Sequence, residues 1–227
     1  DLDFVAGIPT RLGSVVFDIT PSDDDNVVSK MRTAGLVFTG KTNTPEMGLP
    51  CYTESDVAPP ARSPWDLDLS AGGSSGGAAA AVAAGLAPIA HGSDGGGSIR
   101  IPSAVTGLVG IKPSRGRISN GPLRDAVGDI STNGPLARTV ADAAALLDAM
   151  AGPFPGDPVS APPPALGTFL DAASRDPGTL RIGYYLAPPL AHVAVHPDIA
   201  AAPDATVAAL ADLGHQRWGE VDAAIGE

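Results

Sequence analysis

Two clusters of small residues constrain this chain more than anything else in it. They are Gly72-Gly73-Ser74-Ser75-Gly76-Gly77 and Asp94-Gly95-Gly96-Gly97-Ser98. Between them runs a stretch from Ala78 to Ala90 with almost no polarity. Alanine is the best helix former, so residues 77–86 read as a helix. A helix that is apolar all round is buried on all sides. Pro88 to His91 then reads as a strand feeding the second cluster. Glycines strip side chains away and let backbone N–H groups point at a bound group. A hydroxyl among such donors is what nucleophilic catalysis with an oxyanion hole requires. Two serine-bearing clusters that fold to meet would form a relay between hydroxyls.

Elsewhere strands alternate with helices, which places the chain in the α/β class. Val15-Val16-Phe17 and Leu36-Val37-Phe38 read as strands. Between them a helix is expected through Val27, Val28 and Met31, opened by the acidic run Ser22 to Asp25 and closed at Gly35. Residues 40–71 read as irregular because Pro45, Pro50, Pro59, Pro60 and Pro64 interrupt them. Ile99 to Thr106 reads as a short helix and Leu108 to Ile111 as a buried strand. Thr139 is the expected N-cap of a helix carrying Asp142 at N3 and a stripe of Val140, Ala143, Ala144, Leu147 and Met150. Three regions follow: a core over 1–152, a proline-rich connection over 153–178, and a strand-helix pair over 179–227. In that last region the strand is Leu180 to Tyr185, and the helix either kinks or begins at Pro203.

Composition narrows the function classes. The 227 residues are 44% hydrophobic, as in a folded globular chain. Their formal charge of −11 argues against nucleic-acid phosphates and anionic membranes as partners. No apolar run reaches the roughly 18–20 residues of a membrane span. Cys51 has no internal disulfide partner, which fits a reducing, cytoplasmic compartment. Nothing near Cys51 reads as an activating base.

Each candidate site residue also has a plainer reading. Ser98 is either a nucleophile, with the N–H groups of Gly95, Gly96, Gly97 and Ser98 converging on one oxygen, or the N-cap of the helix after it. Ser74 and Ser75 are either catalytic or part of a flexible Gly/Ser loop. Asp94 and Arg100 flank the loop and read as a charge pair bracing it rather than as a catalytic carboxylate. Gly72 to Gly76 also fits the G-x-S-x-G of an α/β-hydrolase esterase, with Ser74 as nucleophile and His196 or His215 as base. That elbow needs an apolar strand before it, and residues 65–71 make a poor one. No G-x-x-x-x-G-K-[ST] phosphate loop occurs.

The clusters resemble the signature of the amidase signature family of serine hydrolases. The match runs through Gly72–Gly77, then Gly92-Ser-Asp-Gly-Gly-Gly-Ser98-Ile-Arg-Ile-Pro102, then Gly107-Leu-Val-Gly-Ile-Lys-Pro-Ser-Arg-Gly-Arg117. Flanking stretches Gly40–Glu46 and Gly134–Asp142 agree as well. The resemblance implies an α/β fold with a mixed central sheet covered by helices on both faces, here incomplete at both ends. It implies Ser98 as the acyl-forming nucleophile and Ser74, after a cis Gly73–Ser74 peptide, as the bridging serine. Ser75 is implied as a hydrogen-bonding support. The family's third member, a neutral lysine base, would stand directly ahead of Asp1, so the chain by itself is expected to be inactive. Lys41 and Lys112 match non-catalytic family lysines, and Lys30 reads as a helix-end charge.

The implied partner is a small-molecule amide, with no cofactor and no metal, and with a homodimer compatible. Within the family, Ile101 stands where the glutamyl-tRNA amidotransferase A-type branch typically has Gln, which favours a stand-alone amidase. Ile99 and Ile101 hint at small or aliphatic amides.

Overall fold

Helix α1 (Asn26–Thr33) follows the acidic run and buries Val27, Val28 and Met31, as the sequence predicts. The computed structural model describes residues 1–122, 130–165, 167–184 and 194–220. Asp25 stands at the N-cap of α1, yet its carboxylate accepts Phe4 N–H (2.7 Å) and so ties the N-terminal segment to the helix. The chain divides into two compact units, Asp1–Ser174 and Arg175–Glu227.

In the first unit, β1 (Arg62–Ser63) and β2 (Asp66–Ser70) form an exposed antiparallel hairpin. Helix α2 (Gly76–Ala83) turns back through Gly85, at φ +75°, into β3 (Ile89–Asp94). Then come α3 (Arg100–Thr106), β4 (Val109–Gly110), β5 (Thr132–Ala137), α4 (Val140–Met150) and the short α5 (Phe169–Ala173). Strands β3, β5 and β4 form one antiparallel sheet with β5 in the middle.

The two faces of this sheet carry different cores. Ile89 packs against a cluster of Val27, Val28, Met31, Ile118, Leu147 and Met150, the side of α1 and α4. Its neighbour Ala90 packs against Ala78, Ala79, Ile99 and Leu136, the side of α2. Successive strand residues point to opposite faces. Helices therefore cover both faces of the sheet, as the α/β reading requires.

The sequence reading errs where hydrophobicity and burial part company. Val15-Val16-Phe17 is not a strand; Val15 and Val16 are 69% and 81% exposed, and only Thr10 and Ile19 form a bridge there. Leu36-Val37-Phe38 is irregular too, with Leu36 and Phe38 packed on the α1 core and Val37 turned to solvent. The hairpin lies inside the stretch expected to be irregular. Strand β5 reads Thr-Asn-Gly-Pro-Leu-Ala and carries no strand signature, yet all six residues are buried. Pro135 is tolerated because its carbonyl accepts Ile111 N–H (3.1 Å), so the N–H it lacks would face β4 where that ladder ends. Thr139 caps α4 by accepting Asp142 N–H at 3.1 Å, as expected, but Val140 is exposed and Leu146 is buried in its place.

In the second unit β6 (Arg181–Tyr184), α6 (Pro197–Asp212) and β7 (Gln216–Glu220) make a β–α–β unit with parallel strands. Tyr185, expected to end the strand, lies outside the described residues. Helix α6 starts at Pro197 and runs through Pro203. No helix among the described residues is long and apolar enough to cross a membrane.

Candidate active site

Helix α2 begins where the first cluster ends, and β3 ends where the second begins. Because β3 returns antiparallel to α2, both clusters arrive at the same end of this pair. Ser75 N–H donates to the carbonyl of Ser98 (3.2 Å) and links them directly. Ser75 also holds β3: its Oγ accepts Ser93 N–H (3.2 Å) and lies 3.3 Å from the Ser93 carbonyl.

Every residue from Ala71 to Gly76 is buried, and the Gly73–Ser74 peptide is cis. The glycines here serve close packing. A Cβ on Gly73 would lie 2.6 Å from Tyr52 N, one on Gly76 2.3 Å from Thr53 Oγ1, and one on Gly77 2.4 Å from Asn43 O. Thr53, fully buried, accepts Gly76 N–H at 3.1 Å and has Gly72 O at 2.9 Å and Ser74 O at 3.2 Å for its own proton. This is no flexible linker. It is also no hydrolase elbow, since the strand before it is one arm of an exposed hairpin and not part of a core sheet.

The second cluster is built differently. Gly95 and Gly96 are exposed; a Cβ on Gly96 meets nothing within 4 Å, and one on Gly95 nothing nearer than 3.7 Å. Asp94 lies fully buried beneath them. Its Oδ1 accepts Gly97 N–H (2.8 Å), and its Oδ2 accepts Ile99 N–H (3.2 Å) and Arg100 N–H (3.3 Å). Arg100 adds a two-pronged contact, 2.9 Å from Nε and 2.9 Å from Nη2. Burial works against ionisation of Asp94, but the Arg100 guanidinium and the three N–H groups outweigh it and hold the carboxyl below its ordinary range. The bracing role expected of the Asp94–Arg100 pair is the arrangement found. One expectation is corrected: Gly97 N–H turns inward to Asp94 and does not join an outward set, which leaves Gly95, Gly96 and Ser98. Ser98 itself is half-buried and does not cap α3, whose N-cap is Ile99 and whose first N–H groups go to Asp94. Ile99 is fully buried in the core and faces no substrate.

Several neighbours carry no local sequence signal. Thr53 sits in a proline-rich stretch without periodicity. The turn at Met47 (φ +54°) and Gly48 (φ +70°) abuts the Ser74 hydroxyl, 3.5 Å from where a Gly48 Cβ would be. Cys51 beside it is an exposed free thiol. Ser93 Oγ donates to Asp1 Oδ1 (3.2 Å), and His91 Nε2 lies 2.8 Å from Asp3 Oδ2.

Each of the three lysines donates to a backbone carbonyl. Lys30 Nζ donates to Ala151 O (3.0 Å), Lys112 Nζ to Pro113 O (2.8 Å), and Lys41 Nζ to Asp3 O. His196 and His215, the bases of the esterase reading, lie in the second unit. Each ring Nδ1 accepts a backbone N–H there, from Asp198 and Leu180 respectively.

A family description, Amidase, matches residues 2–222. The chain belongs to the amidase signature family. It is 49% identical over 195 residues to the 6-aminohexanoate-cyclic-dimer hydrolase of Paenarthrobacter ureafaciens, covering 85% of this chain and 39% of that one. A solved 6-aminohexanoate cyclic dimer hydrolase bound to its substrate superposes with a TM-score of 0.85 at 46% identity, over 91% of this chain and 43% of that one. A glutamyl-tRNA(Gln) amidotransferase chain from Thermotoga maritima superposes at 0.84 with 31% identity, over 96% of this chain and 48% of that one. The chain thus spans less than half the length of these relatives.

Proposed function

We propose that these residues form the nucleophile and relay of an amide hydrolase working through an acyl-Ser98 intermediate. Ser98 Oγ attacks the amide carbon while its proton passes to Ser74 Oγ, and Ser74 passes its own proton to a neutral lysine. The N–H groups of Gly95, Gly96 and Ser98 receive the charge that develops on the carbonyl oxygen. The tetrahedral intermediate collapses by breaking the C–N bond, and the proton returns through Ser74 to the departing amine. Water then enters, gives its proton along the same path, and releases the carboxylate. The observation that carries this reading is the bond from Ser75 N–H to Ser98 O, which locks the two serine loops together beside the cis Gly73–Ser74 peptide.

The base lies outside these 227 residues, directly ahead of Asp1. Two facts support that placement. Each of the three lysines donates to a backbone carbonyl, and Asp1 rests on Ser93, the residue to which Ser75 is bonded.

To test this, the 227 residues are grafted in place of the matching region of the Paenarthrobacter hydrolase, with lysine ahead of Asp1. Hydrolysis of 6-aminohexanoate cyclic dimer is expected from the graft. Ser98→Ala should lower kcat by at least about a thousandfold, and changing the added lysine to alanine should act comparably. The isolated chain should not turn over a simple aryl amide. Turnover by that chain, lost on Ser98→Ala, would place the base within it. A second reading, as part of a tRNA-dependent amidotransferase, draws on the Thermotoga likeness. Ile101 and the lower identity disfavour it, and ammonia-dependent amidation with partner proteins would revive it.

A further inference from the structure

His91 and Ser93 stand two residues apart on β3, so both project from the same face of the strand. Both reach the first three residues of the chain. Ser93 Oγ donates to Asp1 Oδ1, and His91 Nε2 is 2.8 Å from Asp3 Oδ2. The other side of this segment is held as well, with Thr42 Oγ1 accepting from Asp1 N (3.1 Å) and Lys41 Nζ donating to Asp3 O. The His91 and Asp3 side chains are only 12% and 5% exposed. The oxygen Asn133 Oδ1 lies 3.0 Å from the same His91 Nε2, while the Asn133 amide nitrogen donates to Asn120 Oδ1 (3.4 Å). An amide oxygen only accepts, so His91 Nε2 carries a hydrogen, donates it to Asn133 Oδ1, and lies against the Asp3 carboxylate.

We propose that His91 is a positioning residue for amide hydrolysis. Through Asp3, and together with Ser93 on Asp1, it fixes the segment that leads into residue 1 against the strand whose end carries the Ser98 loop. The inference rests on the reading above, in which the base directly precedes Asp1. A lysine there takes its direction from where residues 1–3 lie. A proton relay through two hydroxyls is intolerant of a displaced base.

The test uses the grafted enzyme. His91→Phe keeps the ring and removes the donor. It is expected to lower kcat by about 10- to 100-fold with KM within about twofold, since displacement by about 1 Å costs that much without touching substrate binding. Glutamine places an amide N–H near the position of His91 Nε2, so His91→Gln should recover activity to within about threefold of the unsubstituted graft. Asp3→Ala should reproduce the kcat loss and serves if His91→Phe does not fold. Native kcat in both His91→Phe and Asp3→Ala, or His91→Gln no better than His91→Phe, would overturn the proposal. Ser98→Ala separates the two levels. If it is inactive while His91→Phe turns over normally, only the positioning role falls; if Ser98→Ala is active, the reading beneath it falls.

Discussion

The two glycine clusters look alike on paper and do opposite things. In the first, Gly73, Gly76 and Gly77 are glycine because the backbone and side chains of residues 43–53 occupy the space a Cβ would need. In the second, Gly95 and Gly96 face solvent with room to spare, and neither has a left-handed φ. Packing and backbone conformation thus explain the first set, and also Gly97 (φ +126°, with a Cβ 2.7 Å from Ile101 Cδ1), and leave Gly95 and Gly96 without a structural reason. What remains for Gly95 and Gly96 is the approach of something from outside, which is where the proposed chemistry puts the substrate oxygen. One cluster is a tight socket around Ser74, and the other is an open face floored by a buried carboxylate.

Substitutions can break this contrast. The largest effect on folding is expected from Gly73→Ala, which forces a methyl into the Tyr52 backbone. Overpacking of that kind costs about 1–3 kcal/mol, and more where only backbone can give way, so chemical denaturation should show a lowered midpoint. A Gly73→Ala chain of native stability would mean that the socket is slack.

Asp94→Asn should come next, since it removes the charge that gathers three N–H groups and Arg100. The folded pKa of Asp94 lies below its unfolded value of about 3.9, so its contribution is fully present above about pH 4 and is lost as pH falls through the folded value. Unfolding measured across pH should show a gap between the native chain and Asp94→Asn that is constant near neutrality and closes below about pH 4. A gap that widened in acid would contradict the assignment.

The smallest effect on stability belongs to Gly96→Ala, within about 0.5 kcal/mol, as for other exposed sites. In the grafted enzyme the same change should nonetheless lower kcat/KM by about tenfold or more, because a methyl would intrude among the donors proposed to meet the developing charge. Equal loss of stability in Gly73→Ala and Gly96→Ala would erase the distinction between the clusters.

Much of the frame was legible because it is local. The alanine run specifies α2, Thr139 with Asp142 specifies the start of α4, and Val27, Val28 and Met31 mark the buried side of α1. Strand β5 was not legible, because Thr-Asn-Gly-Pro-Leu-Ala is held in the sheet by its neighbours and not by its own preferences. Val15-Val16 and Val37 misled for the converse reason: β-branched residues favour strands only where a partner strand exists. In the site, the two serine-bearing clusters and the Asp94–Arg100 pair are visible in the sequence, whereas the separate roles of Ser98 and Ser74 come only from the family resemblance. Thr53 and the His91–Asp3 contact do not, since each depends on chain segments brought together from far apart in sequence. Conformational freedom and exposed donors do not account for Gly73, Gly76 and Gly77, which answer to steric crowding that no local window contains.

Cys51 is the chain's single thiol, it is exposed, and it directly precedes Tyr52, whose backbone fills the space beside Gly73. A maleimide dye attached there would sit at the margin of the serine loops, with no competing thiol to remove first. The molecule therefore carries a ready attachment point for watching, by fluorescence, whether a small amide reaches those loops at all.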